Sequence, residues 1–190
     1  MKGFRRENLL FSLCGLNCGL CPMQLDGFCP GCGGGDGNQS CSIAACSLRH
    51  SNTAYCFQCP DFPCGRYTQA DEYDSFVTHQ NRLSDLQKAE KCGIEAYNAE
   101  QREKAAILKI LLSEYNDGRK KSFFCLAVNL LTLDDLLSVM QDLETPSGQT
   151  GRYGKENAAR AAFLLQALAE RRGVTLKLRR KPRKKGECLS

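Results

Sequence analysis

The sequence predicts an irregular cysteine-rich module followed by a mainly α-helical region of about five helices with one short C-terminal strand. Three observations predict it. Ten of the 13 cysteines (Cys14, Cys18, Cys21, Cys29, Cys32, Cys41, Cys46, Cys56, Cys59 and Cys64) crowd into residues 14–64 with eight of the 17 glycines, and that stretch follows neither the helical nor the strand period. From Tyr67 onward apolar residues recur at helical spacing instead. Only residues 174–178 alternate as a strand does. At 190 residues, with 42% hydrophobic and 25% charged side chains, the chain is ordinary for one globular domain with an appendix. The expected division is 1–66 for the cysteine-rich module, 67–178 for the helical region and 179–190 for a basic tail.

The module comes first and is short of apolar side chains: Leu16, Leu20, Met23, Leu25, Phe28, Ile43, Leu48, Phe57 and Phe62 are its main ones from residue 14 to 64. Ordering a backbone costs about 1–2 kcal/mol per residue, so so small a core needs a staple. The helices follow. Ser75–Lys91 reads as the first, stopped by Gly93, and Ile94–Tyr115 as the second, with Ile107, Leu108, Leu111 and Leu112 on one side and Asn116-Asp117-Gly118 as its stop. Lys121–Leu131 is the third, carrying Phe123, Phe124, Ala127, Leu130 and Leu131. Thr132 with Asp135 three residues on is a weaker relative of the capping box and opens a fourth through Leu143. Thr145-Pro146-Ser147-Gly148 is a loop, and Lys155–Arg172 a fifth helix ending at Gly173. Val174-Thr175-Leu176-Lys177-Leu178 is the expected strand.

Charge is unevenly spread. The net +5 is made of +7 on residues 170–190 and −2 on the rest, so the basic character belongs to a tail. Such a tail can engage nucleic-acid phosphates without sequence selectivity, because residues 174–190 contain no aromatic side chain for base stacking. A solvated terminus is the simpler reading.

Thiols at this density are either oxidised in an exported protein or held by metal in a reducing compartment. The apolar run Leu9–Leu13 after the basic Met1–Arg6 is too short for a signal peptide, and bulky Leu13 before Cys14 does not suit a lipobox. No stretch approaches the roughly 18 apolar residues of a membrane helix. A cytoplasmic protein with metal-held cysteines is therefore expected, and metal is the available staple: structural zinc supplies about 10–16 kcal/mol of apparent binding energy in finger peptides.

The spacing agrees. Cys18/Cys21, Cys29/Cys32 and Cys56/Cys59 are C-x2-C pairs, in which one tight turn aims two sulfurs at a common point and turns backbone N–H groups toward the thiolates. Pro30 presets such a turn in Cys29-Pro30-Gly31-Cys32-Gly33. His50 and His79 are the only histidines, so any site is nearly all thiolate, which suits tetrahedral zinc or an iron–sulfur cluster. Ten thiols fill about two four-cysteine zinc sites, with Cys14 and Cys64 as natural spares. The units 18/21, 29/32, 41/46 and 56/59 can be paired in three ways, and spacing does not choose among them. Cys14-x3-Cys18-x2-Cys21 also has the cluster-ligating spacing of radical S-adenosylmethionine enzymes, but those continue with the alternating strands and helices of a partial barrel, and here more cysteines and then helices follow. The run of cysteines typical of bacterial ferredoxins is absent.

The whole pattern, Cys14-Gly15-Leu16-Asn17-Cys18-Gly19-Leu20-Cys21-Pro22, Cys29-Pro30-Gly31-Cys32, Cys41, Cys46 and Cys56-Phe57-Gln58-Cys59-Pro60-Asp61-Phe62-Pro63-Cys64, resembles a family of small cysteine-rich bacterial and archaeal proteins, a domain of unknown function supposed to bind zinc. The match covers residues 14 to about 66. The resemblance implies zinc binding by these ten cysteines together and brings no activity with it.

Other features read as structure. Cys125 in Phe123-Phe124-Cys125-Leu126 is a core thiol, Cys92 near a helix end another, and Cys188 an exposed tail thiol. Gly148 to Gly154-Lys155-Glu156 fails the phosphate-loop pattern in both spacing and final residue, and the glycine run 33–37 never forms G-x-G-x-x-G. Asp134-Asp135 is a helix N-terminal charge pair, and no catalytic set is in view. The expectation is a zinc-binding interaction or scaffold module with an unknown protein partner; an iron–sulfur redox protein and a nucleic-acid binder acting through the tail are the alternatives.

Overall fold

The computed structural model describes residues 3–35, 41–67, 72–144 and 155–181, and the fold is mainly helical. The cysteine-rich segment is built of turns with two short helices, α1 (Pro22–Leu25) and α2 (Ser42–Arg49), and three 3₁₀ turns at Cys18–Leu20, Cys56–Gln58 and Gly65–Tyr67. Five helices follow: α3 (Arg82–Cys92), α4 (Ile94–Glu114), α5 (Lys121–Leu130), α6 (Leu133–Glu144) and α7 (Lys155–Arg171). Among the described residues no helix is long and apolar enough to cross a membrane.

The main core lies between α4, α5, α6 and α7, where Leu108, Leu111, Phe124, Val128, Leu136 and Leu165 are buried together. Leu20, from the first 3₁₀ turn of the cysteine segment, is buried in the same cluster. A second cluster is shared outright: Phe11, Tyr55 and Tyr67 pack with Leu86 and Ala89 of α3 and Tyr97 of α4. The cysteine segment thus completes its small core by leaning on the helices, as its scarcity of apolar residues requires.

The expected C-terminal strand is not there, and no strand exists among the described residues. Val174 N–H closes the end of α7 on the Ala169 carbonyl at 2.8 Å, and Lys177 N–H turns back to the Thr175 carbonyl at 2.9 Å. Val174 and Leu176 do pack on the helical core, which explains their alternation. A strand also needs a neighbouring ladder, and this segment has none. Its end is tied down at one point instead. Asp74 N–H donates to the Arg179 carbonyl at 2.8 Å, Arg179 N–H returns to the Asp74 carboxylate at 2.7 Å, and the Arg179 guanidinium meets the same carboxylate at 3.0 Å. Arg179, assigned from sequence to the tail, therefore belongs to the folded body. Residues 182–190, including Cys188, lie outside the described residues, as do 145–154 with the glycines of the rejected phosphate loop.

The first long helix begins at Arg82, seven residues later than the periodicity suggests. The Asp74 carboxylate accepts His79 N–H at 2.7 Å, and the Ser75 hydroxyl reaches the Val77 carbonyl at 3.3 Å, so side chains bond the backbone that a helix would have used. At α6 Asp134 and Asp135 both stand in the first turn, as expected; Asp135 N–H bonds the Thr132 hydroxyl at 3.2 Å and its carboxylate takes Arg172 at 2.6 and 2.9 Å. Burial works to raise the Asp135 carboxyl, but Arg172 and Thr132 outweigh it and hold it below the usual carboxylate range.

One buried polar network joins the cysteine segment to α3, α4 and α5. Asp85 of α3 accepts from the Asn17 amide at 2.9 Å and the Asn81 amide at 2.7 Å; Tyr97 OH donates to Asn17 at 3.0 Å. Asn81 also donates to the Asn129 side chain at 3.0 Å, and Lys104 donates to the Asn129 carbonyl at 3.2 Å. Asn17, Tyr97, Lys104 and Asn129 are all buried. Burial pushes the Asp85 carboxyl up to about 7, against the pull of Lys104, Tyr97 and Asn17. Burial also brings Lys104 down to about 8, against Asp85 and Glu100.

Between about pH 4 and 7 the folded state holds a proton on Asp85 that the unfolded chain has lost, so this site's contribution to stability falls as pH rises. Between about pH 8 and 10.5 the unfolded chain holds the proton on Lys104, and stability rises with pH there. We expect Asp85→Asn to remove the first of these slopes: urea unfolding at pH 4.5 and 7.5 should show the wild type losing at least about 1.4 kcal/mol relative to the variant, one pKa unit's worth. Parallel wild-type and variant curves would contradict it.

Candidate metal centre

Each cysteine is placed by a local turn. Around Cys14 the chain folds back on itself: Leu16 N–H bonds the Ser12 hydroxyl at 2.7 Å, Ser12 N–H bonds the Leu16 carbonyl at 2.9 Å, and Gly15 N–H bonds the Ser12 carbonyl at 3.1 Å. Gly15 has φ +93°, and a Cβ there would sit 2.2 Å from the Arg82 carbonyl oxygen. Only glycine lets this turn lie against the first residue of α3. Asn17, next to Cys18, is then within reach of Asp85. The turn Cys18–Leu20 closes with Cys21 N–H on the Cys18 carbonyl at 3.0 Å, and Pro22 starts α1 without needing its missing N–H.

The end of α1 reverses the chain. Gly27, at φ +76°, bonds the Gln24 carbonyl at 3.1 Å, and Phe28 N–H bonds the Met23 carbonyl at 3.0 Å, the pattern of a Schellman cap. Cys29 N–H shares that Met23 carbonyl at 3.1 Å, which brings Cys29 back over the Cys21 turn. Backbone N–H groups oppose the rise that burial imposes on these thiols: those of Gln24 and Met23 lie near Cys21 Sγ, and that of Cys32 near Cys18 Sγ. These two C-x2-C pairs therefore form one neighbourhood.

Four further cysteines line a small cleft of about 40 Å³ that opens to solvent. Cys46 and His50 reach it from α2 and its cap, Cys56 and Cys59 from the 3₁₀ turn whose Cys59 N–H bonds the Cys56 carbonyl at 3.0 Å, and Cys64 from the following loop. Leu13, Ile43, Phe62 and Tyr67 give it apolar walls. Cys14 is buried between the two neighbourhoods, 3.3 Å from the Ser12 hydroxyl, whereas Cys41 is exposed at the start of α2. His79 is elsewhere, its Nε2 3.1 Å from the Ser75 hydroxyl.

Burial pushes the Cys14 thiol up; Cys32 and Cys41 add to the rise, while the Ser12 hydroxyl and the Arg82 guanidinium oppose it. Cys18 is raised by burial and then by Cys32 and Cys14. Cys56 goes to about 12, by burial first, with Cys14, Cys64 and Cys46 adding to it against a hydrogen bond from the Tyr67 hydroxyl. Crowded thiols in low dielectric keep their protons unless a cation joins them. All twelve described cysteines are free thiols.

No family model, curated protein or solved structure matches this chain. The reading of the site therefore rests on its own geometry. Among the described residues, no three His, Cys, Asp or Glu side chains converge closely enough to hold a metal ion. The chemistry of the donors does fit a thiophilic metal: unbridged thiols arranged in pairs, with backbone N–H groups near sulfur. Cys125 is buried in the helical core as expected, but Cys92 is not a core thiol: as the last residue of α3 it is exposed.

Sequence reasoning missed the supports. Ser12, Tyr67 and Arg82 touch or charge-stabilise the thiols, and Arg82 stacks 4.8 Å from the centre of the Tyr67 ring. Asn17 stood inside the cysteine pattern, but its partner Asp85 is 68 residues away and carries no local signal.

Two glycine substitutions separate close packing from backbone conformation. Gly27→Ala meets nothing within 4 Å and should cost about 1–2 kcal/mol for its left-handed backbone. Gly15→Ala must also move the α3 backbone, and we expect at least about 2 kcal/mol more in chemical denaturation. Equal costs for the two would show that the Gly15 turn is not clamped against α3.

Proposed function

We propose that residues 1–66 form a thiolate metal module that holds about two zinc ions in a cytoplasmic protein, and that the protein works as a metal-stabilised interaction or scaffold module without catalysis of its own. The observation that carries this reading is the set of free thiols in C-x2-C pairs, with Cys29 folded back toward the Cys21 turn by the shared Met23 carbonyl. Zinc bound there would cross-link turns that have little apolar core of their own. The chain's residues supply the rest: Gly15 and Asn17 seat the first cysteines on α3, and the Schellman turn returns Cys29 to Cys21. The basic tail gains no support as a nucleic-acid site from Arg179, which is bound to Asp74.

Protein produced with zinc supplied and purified without air should be colourless and carry about two zinc ions per chain with no acid-labile sulfide. Removing the metal should unfold the first third, read as loss of amide protection in residues 3–67, while α4–α7 persist. Fewer than one metal per chain would overturn the proposal. Brown protein with labile sulfide would replace it by an iron–sulfur protein.

A further inference from the structure

Two groups of side chains take no part in the metal reading: phenyl rings that stand in water, and basic residues that the fold gathers beside them. Phe28 is 72% and Phe76 65% exposed. We propose that the start of α5, the loop before α3 and the segment after α7 form a binding surface for single-stranded nucleic acid. This surface lies on the folded body, and the inference does not depend on the metal reading.

The fold brings the pieces together. Residues 174–181 return from α7 to the loop before α3, tied there by the Asp74–Arg179 bonds and by the Gln80 amide, which donates to the Lys177 carbonyl at 3.2 Å. Leu178 of this segment, Phe76 and Val77 of the loop, and Ser122 and Leu126 of α5 line one small cleft. Phe76 therefore stands where the segment meets the first turn of α5. Lys121, which opens α5, pairs with Asp26 at the end of α1. That pair holds the α1 reversal, with Phe28 two residues further on, against the same helix start.

Charge collects on these stretches. Arg119, Lys120 and Lys121 lead into α5, and Lys177, Arg180 and Lys181 are exposed on the returning segment. Arg179 is spent as the anchor, its charge matched by Asp74. The acidic side chains on the same stretches are Asp26, Glu72 and Asp117, so six cations face three carboxylates. Residues 182–190 continue from Lys181 and add Arg183, Lys184 and Lys185 against Glu187. A single strand matches both features, because its phosphates meet the cations and its unpaired bases stack on exposed rings. In a duplex the bases already stack on one another and leave the rings unused. A membrane surface calls for apolar residues along one face of a helix, whereas Phe28 and Phe76 sit on loops among basic residues.

Fluorescence anisotropy of the full-length, zinc-supplied protein with a labelled oligothymidylate of about 20 nucleotides tests the surface. Binding should weaken with salt at a log–log slope of about −4, from about six phosphate contacts at about −0.7 each. Phe28→Ala/Phe76→Ala should lose at least about tenfold in affinity for the single strand at unchanged slope, and nothing for a duplex of the same length. Arg119→Gln/Arg180→Gln should flatten the slope by about 1.4. All four side chains are exposed or at loop positions, so circular dichroism should show wild-type helix content in both variants. No binding at low salt, or full single-strand affinity in the phenylalanine variant, overturns the proposal. Loss of all binding on deleting residues 182–190 overturns it in favour of the tail, and binding to phosphatidylserine vesicles in place of the oligonucleotide overturns it in favour of a membrane.

Discussion

The carboxyl of Asp85, half-buried where α3, α4 and the Cys14–Cys18 turn meet, is the contact on which the placement of the first cysteines depends. It receives the amides of Asn17 and Asn81 on one oxygen, and through them it touches Tyr97, Asn129 and the helix that carries Lys104. A buried carboxylate left without these donors would cost several times what one of its hydrogen bonds contributes. The network therefore works as a register lock: if Asn17 shifts, Asp85 and Tyr97 both lose partners. Because Asn17 sits between Cys14 and Cys18, fixing its position fixes where the first thiols stand relative to the helical layer.

The helices in turn owe little to the cysteines. Their core is a conventional one, with Leu111, Phe124, Ala127, Val128 and Leu165 fully enclosed, and only Leu20 enters it from the module. The module's own apolar contacts are split between the cluster shared with α3 and α4 and a small group around Phe4, Leu13 and Ile43. This asymmetry gives the metal proposal its physical content. The segment with the least apolar surface holds the most metal-ligating atoms, and its backbone is arranged in turns that put N–H groups near sulfur.

How much of this was legible in the sequence follows from how local each signal is. The helical layer was readable because α4 through α7 repeat apolar residues every three or four positions, with Asn-Asp-Gly stopping α4 and glycine following α7. The start of α3 was misread because Asp74, Ser75 and Thr78 bond nearby backbone, a competition that periodicity does not register. Residues 174–178 alternate because Val174 and Leu176 pack on the core, and alternation alone does not reveal that no partner strand is present. The cysteine pairs and their turns were visible as spacing. What seats these turns on the helices was not, because it depends on the Gly15 approach to Arg82 and on Asp85, both of them tertiary facts.

X-ray absorption at the zinc edge of the metal-loaded protein shows whether thiolates alone hold the metal. All-thiolate ligation gives four sulfur neighbours per zinc at about 2.3 Å. A first shell dominated by nitrogen or oxygen at about 2.0–2.1 Å would contradict it, because the two histidines and the carboxylates would then be doing what the cysteines are held to do.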